Sequence, residues 1–243
     1  MPLSGNDRNG YPEGWFLLLY AITNRRQLAE TEDERTRRLV ELAESWVAYD
    51  IDFVQIREKD MTPTSLIRLA AEIIQAVKRV GASTRVLINV APNIATAVVR
   101  EAGADGVHLS GGLADGQLRA AIREIRDGLG RSAPISVSCH SSADVVATRG
   151  AAASLALFAP VFEKVLPGSD ASHGMGIEAL SEACRVGRET GRELPIPVLA
   201  LGGVTFENAS QCVAAGAAGI AAIRLFQARG EERELEWREL ASR

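Results

Sequence analysis

The residues best suited to chemistry in this sequence are one histidine, a glycine pair and a nearby cation. His140 follows a short apolar run, and an imidazole with an ordinary pKa of ~6.5 can take up and return a proton at neutral pH. Gly202-Gly203 come just before Thr205, a good helix start, and such a loop lets backbone N–H groups approach an anion closely. With Arg224 near this loop in the fold argued below, these residues predict acid/base chemistry on a phosphate-bearing ligand.

Further polar side chains fall at the ends of predicted strands. Arg57 and Lys59 suit a second anionic group or a substrate carboxylate, and an ordinary charged loop is an equal alternative. His108 lies inside an apolar run, which is typical of a hydrogen-bonded core histidine, and His173 falls in a loop. The candidate site residues at strand ends are Gln55, Arg57, Lys59, Asn89, His108, Ser110, Ser138, His140, Glu163, Lys164, Gly202, Gly203 and Arg224. Among them, Gln55, Asn89 and Ser138 are expected to bind the substrate.

Metal and nucleophile motifs do not accompany these residues. The sequence has no H-x-x-x-H or C-x-x-C spacing, no G-x-S-x-G elbow and no P-loop. Cys139 precedes His140, but adjacent strand residues face opposite sides, so we expect Cys139 to pack and not to pair with the imidazole. Cys184 and Cys212 have apolar neighbours and the same interpretation. An odd cysteine count favours a reducing, cytoplasmic setting.

The elements that must position these residues repeat along the chain. Eight short apolar runs alternate with amphipathic helical segments at a spacing of roughly 30 residues, which predicts an α/β protein with one (β/α)8 TIM barrel. A doubly wound open sheet is the competing fold, and it is disfavoured because no G-x-G-x-x-G follows the first run. The runs begin at Phe16, Asp52, Arg85, Asp105, Pro134, Ser154, Pro197 and Ala218. Residues 1–14 are predicted to be a flexible arm and residues 15–243 the barrel.

Composition sets the class of protein and of partner. The chain has 243 residues, 47% apolar and 24% charged, which is enough for a large core. A formal net charge of -4 gives no basic field for nucleic acid or an anionic membrane. No apolar run approaches the ~18 to 20 residues of a membrane-spanning helix. We therefore expect a small-molecule partner, no nucleic acid and no membrane, and the composition leaves a homo-oligomer open.

Five ordered motifs resemble the thiamine-phosphate synthase/TenI superfamily. They are VQIREK from Val54, LIN from Leu87, GADGVHL from Gly103, VSCHS from Val137 and ALGGV from Ala200. The resemblance spans roughly residues 16–226 and implies a (β/α)8 barrel. It also implies that Gly202, Gly203, Ile223 and Arg224 hold a phosphate, with Arg57 and Lys59 lining the cavity. Arg224 replaces a small hydroxyl residue that is usual in the superfamily.

Several departures from the superfamily pattern indicate which branch of the superfamily this sequence resembles. The synthases hold Mg²⁺ with an Asp after the Asn of strand 3 and an Asp beyond the His-Leu of strand 4, where this chain has Val90 and Leu113. Asp115 could substitute only if its loop shifts. A Thr-Pro-Thr-Lys stretch that contacts diphosphate in the synthases is replaced here by Phe162 to Pro167. Because diphosphate departure needs its charge neutralised, these changes favour the TenI branch.

The resemblance to TenI proteins implies a thiazole tautomerase of thiamine biosynthesis that needs no cofactor. His140 would be the general acid/base that isomerises a thiazole carboxylate phosphate to its aromatic form, with Glu163 as an orienting or relay carboxylate. The first alternative is a thiamine-phosphate synthase, which would use Mg²⁺. The second alternative is a non-catalytic barrel with a phosphate-ligand binding or regulatory role.

Overall fold

A computed structural model describes residues 17–81, 83–163, 173–189 and 193–227. Eight parallel strands bond in chain order, and the last pairs with the first, which closes the sheet into a barrel. The predicted (β/α)8 barrel is therefore confirmed, and the open sheet is excluded. The predicted arm, residues 1–14, lies outside the described residues, as do residues 15, 16 and 228–243, so the domain bounds stay a prediction.

The strands are short and the helices fill the intervals between them. The strands are β1 (Leu18–Ile22), β2 (Phe53–Ile56), β3 (Arg85–Asn89), β4 (Gly106–Leu109), β5 (Ile135–Cys139), β6 (Leu155–Phe158), β7 (Val198–Leu201) and β8 (Gly219–Ala222). The helices are α1 (Glu32–Ala48), α2 (Pro63–Val80), α3 (Pro92–Ala102), α4 (Asp115–Leu129), α5 (Ser142–Gly150), α6 (Gly176–Arg188), α7 (Phe206–Ala214) and α8 (Arg224–Gln227), with a 3-10 turn at Arg25–Gln27 after β1.

Each strand is buried on both faces, which explains the continuous apolar runs. One set of side chains, including Tyr20, Phe53 and Leu157, fills the barrel interior. The alternate set, including Val54 and Ile88, packs outward against the helices in a much larger cluster. Polar side chains on the inward set therefore reach the barrel axis, and they reach solvent only near the strand ends.

The helices begin and end at residues that the sequence marks. Thr62 caps α2 by accepting a hydrogen bond from the Ser65 N–H at 3.3 Å, and Pro63 occupies the first helical position. Gly103 ends α3 with a left-handed φ of 72°. None of the helices in the described ranges is long and apolar enough to cross a membrane.

The three cysteines are free and buried, which confirms their interpretation as packing residues. Cys139 faces the outer cluster, with its Sγ 3.3 Å from Thr148 Oγ1. Burial raises the pKa of the Cys139 thiol to about 12, so this thiol stays protonated and is a poor nucleophile.

Three side chains tie strands together in pairs at the amino-terminal end of the barrel. The residue just before an even-numbered strand accepts a hydrogen bond from a backbone N–H of the preceding odd-numbered strand. Asp52 accepts from Leu19 at 2.8 Å and Asp105 from Val86 at 2.8 Å. Ser154 accepts from Ile135 at 3.0 Å. The residue before β8 is Ala218, which has no polar side chain, so the β7 and β8 pair lacks this contact.

The stability of the protein is expected to depend on pH because of the Asp52 carboxyl. Burial raises the pKa of its carboxyl from 3.8 to about 6, against the opposing effect of the Leu19 hydrogen bond. Because the native state then holds a proton that the unfolded chain releases, the contribution of Asp52 to the free energy of unfolding is full below pH 3.8 and is lost as the pH rises through about 6.

We expect Asp52→Asn to remove this loss, since the amide oxygen still accepts from Leu19. When the pH is raised from 4 to 7.5, the free energy of unfolding of the variant should increase by about 1 to 3 kcal/mol relative to that of wild type. Urea unfolding at both pH values measures this difference. Stability curves that run parallel for the two proteins would show that Asp52 does not titrate in this window.

Candidate active site

The residues predicted from strand ends gather at the carboxyl-terminal mouth of the barrel. Gln55 is the third residue of β2, Asn89 ends β3, and His140 directly follows β5. Glu163 lies beyond β6, and Gly202 and Gly203 follow β7. Ser138 is the fourth residue of β5, and Ile223 and Arg224 follow β8. In a parallel barrel all these ends open on one face, where active sites of this fold are built.

His140 is held at two points on this face. Its Nδ1 lies 2.6 Å from the carbonyl oxygen of Ala159, at the end of β6. Because a carbonyl only accepts, Nδ1 donates the hydrogen, and in the neutral ring Nε2 is left as the basic nitrogen. The His140 N–H donates to Asp144 Oδ2 at 2.7 Å, which fixes the backbone at the start of α5. The exposed imidazole is thus oriented and able to accept a proton.

Gly111 packs against the edge of this imidazole. A Cβ placed on Gly111 would lie 3.1 Å from both Nε2 and Cδ2 of His140, and 2.8 Å from the carbonyl oxygen of Ser138. Only glycine therefore lets the loop after β4 pass this close to Nε2 without displacing the ring. Sequence reasoning missed Gly111, although the Gly111-Gly112 pair after a strand end was a usable signal.

A chain of hydrogen bonds runs below His140 in the barrel interior. Tyr20 Oη lies 2.8 Å from Ser136 Oγ, and Ser136 Oγ lies 2.8 Å from His108 Nδ1. His108 Nε2 lies 2.9 Å from Ser138 Oγ, nearer the mouth. Burial, and secondarily the positive charges of Arg57 and Lys59, lower the pKa of His108 to about 3. His108 is therefore a neutral, hydrogen-bonded core histidine, as expected.

Asn89 and Gln55 extend this polar interior toward the ligand side. Asn89 Nδ2 donates to the His108 carbonyl oxygen at 3.2 Å and to Ser110 Oγ at 3.3 Å. Gln55 is buried, and its Oε1 has no hydrogen-bond partner within the described ranges. A buried amide oxygen without a hydrogen bond destabilises the folded state. Gln55 Oε1 is therefore suited to accept a hydrogen bond from a bound ligand.

Arg57 is half-buried and Lys59 is exposed, while Glu58 between them is buried. Glu58 binds Arg25, whose guanidinium also contacts Glu32 and Asp60. Sequence reasoning missed Arg25 entirely. No side-chain hydrogen bond or ion pair involves Arg57 or Lys59 in the part of the chain that the structure describes. Neither cation has a side-chain partner among the described residues, and the binding of an anionic group by Arg57 and Lys59 stays a prediction.

A cavity of about 670 Å³ opens over β7, β8 and the turn after β1. Its lining includes five predicted residues, namely Glu163, Gly202, Gly203, Ile223 and Arg224. It also includes Asn24 and Gln27, which sequence reasoning missed although Asn24 follows the first apolar run. The other predicted residues that the structure describes lie outside this lining, on the β2 to β5 side of the mouth. Lys164 lies outside the described residues.

The glycine pair shapes this cavity. Gly202 and Gly203 have φ angles of 96° and 68°, in the left-handed region that favours glycine. Val161 and Phe162 bond to Leu201 and Gly202 through N–H to carbonyl contacts of 2.9 Å, which brings the segment after β6 alongside the glycines. The N–H groups of Gly203 and Val204 have no partner within the described residues. These two donors and the exposed Arg224 lie where the sequence predicts an anion site, and that role stays a prediction.

Glu163 does not orient the imidazole. Its Oε1 lies 3.9 Å from Nδ1 of the exposed His173, and no hydrogen bond joins Glu163 to His140 among the described residues. The Ala159 carbonyl oxygen is the partner of His140 Nδ1. The expected orienting role of Glu163 is therefore corrected, and its place in the cavity leaves it as a ligand-contacting or relay carboxylate.

The positions that the resemblance assigns to Mg²⁺ ligands do not fit that ion. Val90 and Leu113 are partly buried and pack against the outer hydrophobic cluster. Asp115 is the first residue of α4, and its Oδ1 accepts from Arg119 Nε at 2.9 Å. Within the described ranges no group of three or more His, Cys, Asp or Glu residues is placed to hold a metal. Mg²⁺ needs hard oxygen ligands, which Val90 and Leu113 do not offer, and the Asp115 carboxylate is paired with Arg119.

Comparison with known proteins gives consistent matches over most of the chain. A family model described as "Thiamine monophosphate synthase" matches residues 19–226. A protein of Geobacter sulfurreducens named "Putative thiamine-phosphate synthase" is 37% identical over 89% of this chain and 89% of its own length. A "Thiamine-phosphate synthase" of Methylobacillus flagellatus is 32% identical over 84% of this chain and 85% of its own length.

A solved structure extends the similarity to the fold. The thiamine phosphate pyrophosphorylase of Pyrococcus furiosus superposes with a TM-score of 0.69 over 93% of this chain and 96% of that chain. The two sequences are 21% identical, so this match bears on the barrel fold alone.

Proposed function

The chain belongs to the thiamine monophosphate synthase family of thiamine-biosynthesis enzymes, and on that premise we propose that it is a thiazole tautomerase. The observation that carries the proposal is the geometry of His140. Its Nδ1 is fixed on Ala159, and its Nε2 is left as a base at a mouth that also offers an anion site. Val90 and Leu113, where the resemblance places metal ligands, support an acid/base reaction over a metal-assisted one.

In the proposed reaction the substrate is held by its two anionic groups. The phosphate binds the N–H groups after Gly202 and the guanidinium of Arg224, and the carboxylate binds Arg57 and Lys59. His140 Nε2 takes the proton from the ring carbon that bears the carboxylate, and the ring double bonds shift. The imidazolium then returns one proton to the exocyclic carbon, so the atoms balance and the ring becomes aromatic. This isomerisation needs no redox step.

Thiamine-phosphate synthase is the second candidate, because the names of the relatives favour it over the tautomerase. That reaction joins a pyrimidine diphosphate to a thiazole phosphate and releases diphosphate. The side chains at positions 90 and 113 do not fit the Mg²⁺ site that the family implies, so we derive no step through the metal. The cavity over β7 and β8 would bind a thiazole phosphate in either reaction.

A proton-NMR time course separates the candidates. Purified protein with the thiazole carboxylate phosphate tautomer in EDTA should give rapid growth of the aromatic signals. A parallel reaction with the pyrimidine diphosphate, thiazole phosphate and Mg²⁺ should give no thiamine phosphate. Coupling in the second reaction without aromatisation in the first would overturn the proposal in favour of the synthase. If the protein binds thiazole phosphate but catalyses neither reaction, the remaining candidate is the non-catalytic barrel.

We also propose a compartment and a partner for this enzyme. Three free, buried thiols suit a reducing compartment, so we place the enzyme in the cytoplasm. The partner is a small phosphorylated thiazole, and a homo-oligomer stays a prediction.

A further inference from the structure

The buried ion pair of Glu58 and Arg25 is the feature that the proposed mechanism does not use. The Glu58 and Arg25 side chains are only 2% and 6% exposed, and Arg25 Nη1 lies 3.0 Å from Glu58 Oε2. Arg25 also donates two hydrogen bonds to Asp60, at 2.7 and 2.9 Å, and two to Glu32, at 2.8 and 3.5 Å. A buried charge pair with this many hydrogen bonds fixes the geometry of the segments that carry it.

Those segments are the turns after β1 and β2, on the active face. Glu58 Oε1 accepts from Thr23 Oγ1 at 2.6 Å and from the Arg25 N–H at 3.0 Å. The N–H of Arg57 in turn donates to Thr23 Oγ1 at 2.9 Å. The backbone on both sides of Glu58 is therefore tied to the turn after β1, and the residues that flank Glu58 are Arg57 and Lys59.

Arg57 and Lys59 lie just after β2, at the carboxyl-terminal mouth of the barrel. Both cations act electrostatically on His108, which is buried on β4, and help to lower its pKa. Around the closed sheet the rim then carries three separate functional points: the two cations after β2, His140 after β5 and the anion site after β7 and β8. In the proposed function, a ligand with an anionic group at each end contacts the first and third points and presents its reacting carbons to the second.

We propose that Glu58 and Arg25 are positioning residues, whose buried pair holds Arg57 and Lys59 at the mouth as a carboxylate subsite separate from the phosphate site. The inference rests on the proposed function, from which it takes the ligand. It assigns the discrimination between carboxylated and non-carboxylated thiazole phosphates to an ion pair that touches neither ligand. Glu58 is itself buried, so its removal should act through the segments that it holds, and the flanking cations Arg57 and Lys59 lie on one of them.

The test compares the binding of two ligands by calorimetry. One is the aromatic thiazole carboxylate phosphate, which does not react further, and the other is the thiazole phosphate without the carboxylate. Wild type should prefer the carboxylate by about 10-fold or more, as expected for a charge-assisted contact. Glu58→Gln should reduce this preference to about 2-fold or less while the affinity for the thiazole phosphate stays within about 2-fold. Glu44→Gln, which breaks an exposed pair with Arg79 between α1 and α2, is the matched control and should leave both affinities unchanged.

A double-mutant cycle shows whether Glu58 acts through Arg57. In an Arg57→Met background, Glu58→Gln should change the preference for the carboxylate by far less than it does in wild type. Asp60→Asn, which alters a half-exposed partner of Arg25, should show a weaker effect in the same direction if Glu58→Gln fails to fold.

Three results would overturn the inference: equal loss of both affinities in Glu58→Gln, no change in either, or no preference for the carboxylate in wild type. Failure of the proposed function is a separate result. A wild type that discriminates between the ligands but does not aromatise the substrate would refute the tautomerase and leave the subsite in place.

Discussion

Replacing His140 by alanine is expected to lower kcat for thiazole aromatisation by about 10²- to 10⁴-fold, the usual contribution of a positioned general base. The loss should fall on kcat, because the phosphate and carboxylate contacts lie on other strands and are retained. KM should change by less than about 3-fold. The measurement is the initial rate of growth of the aromatic proton signals at several substrate concentrations.

The neighbouring residue supplies the control for His140. Cys139→Ala changes the last residue of β5, next to His140, but the Cys139 side chain faces Thr148 and the outer cluster. We expect it to retain kcat within a few-fold, with a modest loss of stability from the lost packing. Equal losses in the two variants would mean that β5 is simply disturbed. Full activity in His140→Ala would show that His140 does not transfer the proton.

Replacing Gly203 by alanine is expected to raise KM for the phosphorylated substrate by about 10- to 100-fold, equivalent to the loss of one or two charge-assisted hydrogen bonds. The new Cβ would lie 2.7 Å from Phe162 Cβ and 2.9 Å from the Glu163 carbonyl oxygen, so the two loops must separate. The φ of 68° adds backbone strain. We therefore also expect the free energy of unfolding to fall by about 1 to 3 kcal/mol.

Gly103 offers a matched control for the strain. Its φ of 72° is close to that of Gly203, but a Cβ there meets no atom within 4 Å, and the residue ends α3 away from the mouth. Gly103→Ala should therefore destabilise the protein by about 1 kcal/mol and leave KM unchanged. A KM for Gly203→Ala that stays at the wild-type value would show that the phosphate does not bind at this loop. Inhibition by inorganic phosphate gives an independent measure of the same site.

The fold was predictable because its signal is local. Each strand is buried on both faces and appears as a short apolar run, and each helix presents one apolar face, so eight repeats of that pattern indicate the barrel. The barrel rule then places strand ends on one face, which located His140, Gly202-Gly203 and Arg224 without knowledge of any contact.

The parts of the site that escaped prediction depend on contacts between distant segments. Arg25 and Glu58 are 33 residues apart, and in the sequence each looks like an ordinary charged loop residue. The orienting contact expected between Glu163 and His140 was wrong for the same reason. A backbone carbonyl, that of Ala159, orients His140, and a carbonyl has no signature in the sequence. Gly111 was a visible glycine, but its closeness to the imidazole required the register between the loops after β4 and β5.

The side chains that bind the amino-terminal ends of the strands divide the barrel into pairs. Asp52, Asp105 and Ser154 each join an odd-numbered strand to the even-numbered strand that follows it. As the chain emerges during synthesis, the N–H of an odd-numbered strand finds this partner only when the residue just before the next strand has been made. Circular permutation should accordingly be tolerated best when the new ends fall between an even strand and the next odd one. The two-strand unit is thus the natural piece for recombining this barrel with its relatives.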